Sequence, residues 1–228
     1  MIAAITGASR GIGRATALFL ADKGVSVALV GRPSGPLEAT LTDVRQRGVR
    51  SEAFPCDLRE PGQIRTAAAR IIESMGVPEV LVNNAGIVRR ATVEQMPLAD
   101  WDEQLDVNLR APFLMSQALL PVMRKARAGR IIHVASISST IGSPTASAYC
   151  ASKWALVGFM KSLAEELSGS GVSTLAILPG SVDTDMLDGS GFAARMSAEE
   201  VAATIGFYAL GAGATAAHNG AVVEMFGT

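Results

Sequence analysis

The sequence predicts an α/β fold: one Rossmann-type domain spanning residues 1–228, a doubly wound parallel sheet of seven strands with helices on both faces. Three observations predict it. Short apolar runs alternate with longer stretches of helical periodicity along the whole chain, as repeated βα units require. The first run passes directly into a glycine-rich turn, Thr6-Gly7-Ala8-Ser9-Arg10-Gly11-Ile12-Gly13, and then into a helix. Polar residues gather where the apolar runs end, and those carboxyl ends are where open parallel sheets bind ligands.

The elements follow in order. Residues 2–5 form a first strand, and a helix runs from the glycine turn to Lys23. A strand, a glycine turn and a helix amino terminus together form a phosphate site. Backbone N–H groups point outward, the helix dipole favours an anion, and missing side chains let a pyrophosphate approach. The spacing is Gly-x-x-x-Gly-x-Gly. Residues 25–30 form a second strand ending in Gly31-Arg32. In dinucleotide folds an acid near this point binds a ribose 2′-hydroxyl, whereas an arginine accommodates a 2′-phosphate. Arg32 stands there, and Arg10 in the glycine turn supplies a second guanidinium that could flank the same phosphate. The pair points to NADP(H).

Residues 36–47 form a helix closed by Gly48, and residues 52–55 a third strand leading to Cys56-Asp57-Leu58. Asp57 is placed either to accept from an adenine amino group or to cap the next helix, residues 63–75. Residues 80–82 lead straight into Asn83-Asn84-Ala85-Gly86, where two amides could lock neighbouring strand ends and leave backbone close to a cofactor. A single helical pattern over residues 98–126 contains Asn108, Pro112 and Pro121. Proline has no N–H, so Pro112 leaves the Asn108 carbonyl without its donor, and a freed buried carbonyl wants a partner such as water.

Residues 130–135 form the fifth strand and carry Ser136 at its end. A Gly/Pro-containing loop then leads to Tyr149-x-x-x-Lys153 at the start of a long helix with an apolar stripe of Leu156, Phe159, Met160, Leu163 and Leu167. Residues four apart share a helix face, so the Lys153 ammonium can lie beside the Tyr149 phenol and favour phenolate. Free tyrosine has a pKa of about 10, so acid–base work near neutrality needs a lowering of roughly 3 units, about 4 kcal/mol. Ser136 adds a neutral hydroxyl that could bond a substrate oxygen. Residues 172–178 form a sixth strand, Pro179-Gly180 turns the chain, and a polar loop reaches Met196. Ser197-x-x-Glu200 is a capping box opening the last helix, and residues 221–225 close the sheet.

Composition narrows the partners. With 49% hydrophobic and 18% charged residues the chain can bury a sizeable core, and a net charge of -1 gives no general attraction to nucleic acid or an anionic membrane. Cys56 and Cys150 lack metal or Cys-x-x-Cys spacing and are expected to stay reduced as packing residues. No apolar run is long enough to cross a membrane and the first residues read as a strand, so a cytoplasmic location and a small-molecule partner are expected.

In this order the motifs resemble the short-chain dehydrogenase/reductase family over essentially the whole chain: Thr6-Gly7 to Gly13, Asp57, Asn84-Ala85-Gly86, Asn108, Ser136, Tyr149-x-x-x-Lys153, and Pro179-Gly180 with Thr184. Within it they are most similar to the 3-oxoacyl-[acyl-carrier-protein] reductase group. The resemblance implies that Tyr149 is the proton donor in carbonyl reduction and that Ser136 polarises the carbonyl. Lys153 would hold the nicotinamide ribose and lower the Tyr149 pKa, and Asn108 would anchor a relay water through its main-chain carbonyl. Gly7, Ser9, Arg10, Gly11, Ile12, Gly13, Arg32, Asp57, Leu58, Asn84, Ala85, Gly86, Tyr149, Lys153, Pro179, Gly180, Val182 and Thr184 would form the NADP(H) site. It further implies a homotetramer or homodimer formed through the Asn108 and Tyr149 helices, and an acyl carrier protein partner for which Arg124, Lys125, Arg127 and Arg130 offer basic surface. The segment between Thr184 and Ser197 is shorter than the family's usual substrate lid, pointing to an open or tolerant pocket. Alcohol, steroid and sugar dehydrogenases use the same machinery, and a nucleotide-sensing protein would share the fold.

Overall fold

The computed structural model describes residues 1–211 and 217–227. Seven parallel strands, β1 (Ile2–Thr6), β2 (Ser26–Gly31), β3 (Ser51–Pro55), β4 (Val80–Asn83), β5 (Gly129–Val134), β6 (Val172–Pro179) and β7 (Val222–Met225), make one sheet in the order β3-β2-β1-β4-β5-β6-β7. The chain winds outward from β1 in one direction, then crosses back to β4 and winds outward in the other. The reversal opens a crevice between the carboxyl ends of β1 and β4.

Alternation along each strand divides the core in two. Ala3 and Ile5 of β1, Val80 and Val82 of β4, and Ile132 and Val134 of β5 face one side. There they meet α1 (Gly11–Asp22), α2 (Gly35–Arg45) and α7 (Ala198–Leu210). Ala4, Leu81 and Ile131 face the other, against α3 (Pro61–Ser74), α5 (Ala111–Ala126) and the carboxyl half of α6 (Ser147–Glu166). Strands covered on both faces have no polar side to show, which is why they read as continuous apolar runs.

The helix starts follow local chemistry. Ser34 caps α2 at the Leu37 N–H (3.4 Å), with Pro36 in its first turn. The predicted capping box opens α7: Glu200 N–H donates to Ser197 Oγ (3.1 Å) and Ser197 N–H to Glu200 Oε2 (2.7 Å).

The one long helix expected over residues 98–126 is instead three pieces: α4 (Leu98–Leu105), a five-residue π-helical turn (Asp106–Arg110), and α5. The cause lies at Pro112. A missing N–H leaves the α register unfavourable just upstream, and the Ala111 N–H bonds Asp106 O, five residues back. Asn108 sits within that widened turn, fully buried.

Cys56 is buried in the core, and burial, with the Asp57 charge second, raises its thiol to about 11; Cys150 is only partly buried. Both are free thiols. Among the described residues no helix is long and apolar enough to cross a membrane.

Candidate active site

The glycine turn is shaped by close backbone contacts. Gly7 adopts φ +67°, and a Cβ there would lie 2.8 Å from Ala85 Cα. A Cβ on Gly13 would lie 2.2 Å from Gly7 O and 2.5 Å from Asn84 Nδ2, so only glycine lets α1 start this close to its own strand. Asn84 fastens the crevice. Its Nδ2 donates to Thr6 O (2.9 Å) and Gly7 O (3.3 Å), while its N–H and that of Ala85 donate to Thr6 Oγ1 (3.0 and 3.1 Å). Its neighbour Asn83 points into the protein, toward Ser116 Oγ (3.2 Å) and His133 Nδ1 (3.4 Å). The two amides therefore lock strand ends as the sequence suggests, one outward and one inward. No side chain caps α1 at Arg10, so its first N–H groups face the crevice.

That crevice is a cleft of about 940 Å³. Gly7, Ser9, Arg10, Gly11, Ile12, Arg32, Asp57, Leu58, Asn84, Ala85, Gly86, Ser136, Tyr149, Lys153, Pro179, Gly180, Val182 and Thr184 all line it. Gly13 and Asn108 lie just behind the wall.

The charged groups are arranged differently from expectation. The Arg10 guanidinium is engaged by Asp185 (2.5 Å), so in this structure it does not sit free beside Arg32. Arg32 makes no ion pair among the described residues. Asp57 does not cap α3, whose N-cap is Glu60. Its carboxylate accepts from the Arg59 main-chain N–H (3.0 Å) and guanidinium, which holds its pKa below the usual carboxylate range.

Tyr149 and Lys153 lie one turn apart on α6, with the Lys153 ammonium 5.8 Å from the phenol ring centroid. Ser136, at the end of β5, accepts from the Ser138 N–H at 3.1 Å. Asn108 holds the wall together: its Oδ1 accepts from Ile87 N–H (2.8 Å), and its Nδ2 donates to Ile87 O (2.9 Å) and Ser152 Oγ (3.0 Å). Its side chain is thus spent on framework, leaving the main-chain carbonyl that Pro112 deprives of an i+4 donor. Lys153 donates to Val134 O (2.9 Å), and a Cβ on Gly86 would stand 3.3 Å from its Nζ. Gly86 gives the ammonium its space.

The Tyr149 phenol is not made more acidic in the folded cleft. Burial raises the Tyr149 pKa; the Ser136 hydroxyl and the Arg90 charge only partly oppose this, and Cys150 adds to it. Lys153 is itself desolvated, which lowers its pKa to about 8. Without a ligand the phenol is held protonated, which is the form a proton donor needs.

The basic residues offered as acyl-carrier surface lie elsewhere. Arg130 is at the amino end of β5, opposite the cleft, and donates to Tyr208 O (2.9 Å) and Ala209 O (2.6 Å); burial lowers its pKa. Arg124 and Arg127 bond Glu166 O and Gly169 O. Arg124, Lys125 and Arg127 stay exposed.

Three residues lining the cleft, Met186, Arg59 and Arg90, and one core residue, His133, were not singled out from the sequence. Met186 reaches over the cleft and meets the Tyr149 hydroxyl through its sulfur (4.0 Å). Arg59 occupies Asp57. Arg90 lies on the cleft wall near Tyr149. His133 is wholly buried against Phe159, ring centroids 5.6 Å apart. Only the Asp-x-Arg spacing of residues 57 and 59 could have suggested one of these contacts.

Fold and cleft define an oxidoreductase of the nicotinamide-dependent kind acting on CH–OH or C=O groups, and the chain belongs to the short chain dehydrogenase family, whose pattern matches residues 1–192. It is 35% identical over 187 residues to the 3-oxoacyl-[acyl-carrier-protein] reductase FabG of Staphylococcus aureus, covering 82% of this chain and 76% of that one. It is 34% identical over 218 residues to a 3-oxoacyl-[acyl-carrier-protein] reductase of Synechocystis, covering 91% and 88%. Its structure is similar to the crystal structure of acetoin dehydrogenase YohF from Salmonella typhimurium, with TM-score 0.89 and 30% identity over 99% of this chain and 94% of that one. The residues present fit the family's dinucleotide: an uncapped helix start, a glycine turn a Cβ would fill, and a long cleft ending at Tyr149.

Proposed function

We propose that the protein is an NADPH-dependent ketone reductase, with Tyr149 as proton donor and with 3-oxoacyl thioesters of the acyl-carrier type as its substrate class. One observation carries the reading: Ser136, Tyr149 and Lys153 line the same cleft as the glycine turn and Arg32. When bound, NADPH supplies the hydride to the carbonyl carbon.

The protein's own part is acid catalysis and positioning. The Ser136 hydroxyl donates to the substrate carbonyl oxygen and draws electron density toward it. Tyr149, kept protonated by burial, releases its proton to that oxygen as negative charge develops. The phenolate that remains is favoured by the Lys153 ammonium one turn along, and it regains its proton from solvent along a relay that runs past Lys153 through a water held on the Asn108 main-chain carbonyl. Arg32 receives the 2′-phosphate by charge-assisted hydrogen bonds.

The test is NADPH oxidation with a panel of ketones that includes a 3-oxoacyl thioester. Turnover in the wild type and a loss of about 10²–10⁴-fold in Tyr149→Phe, with NADPH affinity retained, supports the assignment. Full turnover in the phenylalanine variant overturns it, and tight NADPH binding without any turnover favours a nucleotide sensor. Similarity to acetoin dehydrogenase over nearly the full chain makes oxidation of small hydroxyketones the second reading, separated from the first by measuring NADP reduction with acetoin and other small hydroxyketones.

Assembly through the α4–α6 face is part of the proposal. Phe113 (41% exposed) and Trp154 (53% exposed) stand on α5 and α6, and Leu105, Leu109, Phe113 and Phe159 form an apolar groove there. Sedimentation as a dimer or tetramer is expected; a monomer at micromolar concentration removes this part.

A further inference from the structure

We infer that Arg90 is a specificity-determining residue, and that the cleft takes a ketone carrying an anionic group of its own, a carboxylate or a phosphate, held by Arg90 while the carbonyl oxygen meets Tyr149 and Ser136. The inference rests on the reductase reading and names a feature of its substrate.

The backbone around Arg90 is fixed. The segment leaving β4 is fastened at Ile87 by both amide atoms of Asn108, and at Arg89, whose N–H donates to Gln104 Oε1 (2.9 Å). It is fastened again at Ala91, whose N–H donates to Thr145 O (2.9 Å) and which pairs in a parallel bridge with Ala146. Ala146 precedes Tyr149 by three residues. Arg90 is therefore carried to the edge of the catalytic cluster on a strip of chain tied down on either side, and its side chain is exposed along the cleft wall. Its charge is felt at the Tyr149 phenol, where it favours phenolate.

The charge pattern of the cleft leaves this guanidinium open. Three carboxylates line the cleft and each is taken: Asp57 by Arg59, Glu103 by Arg59 and Arg89, and Asp185 by Arg10. Among the described residues, Arg32, Arg90 and Arg195 line the cleft without an ion pair. Arg32 follows β2, at the dinucleotide end, and Arg195 lies on the loop after β6. Arg90 is the one tied to the chain entering the Tyr149 helix. An unpaired guanidinium on the strip tied to the start of the Tyr149 helix, in a cleft whose acids are all neutralised, selects a planar oxyanion that it can bind through two N–H groups.

The experiment compares substrates that differ chiefly in charge. Acetoacetate and levulinate are set against their methyl esters, and acetoacetyl 4′-phosphopantetheine against acetoacetyl pantetheine, each with NADPH. The wild type is expected to favour the anionic member of at least one series by about 10- to 100-fold in kcat/KM, chiefly through KM, and to lose that preference as salt is raised. Arg90→Gln is expected to bring the ratio close to one, and Arg90→Lys to keep part of it. Preference in the acid and ester pairs identifies a carboxylate on the substrate itself; preference confined to the pantetheine pair identifies the phosphate of a carrier arm. A ratio near one in the wild type, or a ratio that Arg90→Gln leaves unchanged, overturns the inference while the reductase reading stands. NADPH oxidation with none of the carbonyls, charged or neutral, overturns both.

Discussion

The Lys153 ammonium donates to the main-chain carbonyl of Val134 at 2.9 Å, tying the Tyr149 helix to the end of the strand that carries Ser136. This bond fixes the distance across which the proposed acid and polariser face one another, and it places a charge where little water reaches it.

Replacing Lys153 by methionine is expected to separate stability from activity. A lysine lowered from 10.5 to about 8 contributes stability only above its unfolded value, and that contribution is lost as pH falls through 8. At neutral pH the buried charge is a net cost. Lys153→Met should keep or raise the melting temperature by about 2–4 °C, for a gain of about 1 kcal/mol after the lost Val134 bond, while turnover falls at least 100-fold. Calorimetry beside a turnover assay checks both; a large drop in melting temperature contradicts the argument.

Gly13→Ala places a Cβ 2.2 Å from Gly7 O and 2.5 Å from the Asn84 amide, and neither neighbour can swing aside. The expected cost is about 2–4 kcal/mol of stability, with loss of NADPH binding. Urea unfolding and a fluorescence titration of the nucleotide read the two effects separately.

Arg32→Ala tests the cofactor choice. Losing a charge-assisted pair to a 2′-phosphate should raise the Kd for NADPH about 10- to 100-fold and leave that for NADH within about threefold. Equal effects on both nucleotides would mean that Arg32 serves something other than the 2′-phosphate.

His133 gives the protein a specific acid weakness. Its ring is wholly buried, its Nε2 has no partner, and burial, with the Lys153 charge second, lowers its pKa from 6.5 to about 3. A base lowered on folding supplies stability above its unfolded pKa and loses it as pH falls toward the folded one. Between pH 7 and pH 5 the wild type should lose about 2 kcal/mol that His133→Leu does not. Urea midpoints at the two pH values measure the difference.

The parallel sheet was legible because burial on both faces leaves a strong trace: runs such as residues 27–30 carry no polar side chain at all. Pro112 likewise announced the deprived carbonyl of Asn108, since a missing N–H is visible in the sequence itself. What Pro112 did not announce was the π turn by which the chain answers it. The least legible features all depend on distant contacts. Arg10 and Asp185 are 175 residues apart, and nothing near Arg10 foretells its partner. Tyr149 was expected to be made more acidic by Lys153, but burial raises the phenol's pKa and only Ser136 and Arg90 oppose it, and exclusion of water is a property of the folded cleft. Sequence likewise does not show that Arg130, in the basic run near residues 124–130, lies at the amino end of β5, opposite the cleft.

The Asn84 side chain stitches the first half of the chain to the second, since Thr6 and Gly7 belong to one β-α-β unit and Asn84 opens the other. Each unit is built from contacts close in sequence, whereas the seam depends on groups 77 and 78 positions apart. Closing that seam therefore costs more chain entropy than closing either unit. Mild denaturant should accordingly silence the enzyme while most of its helical circular dichroism survives.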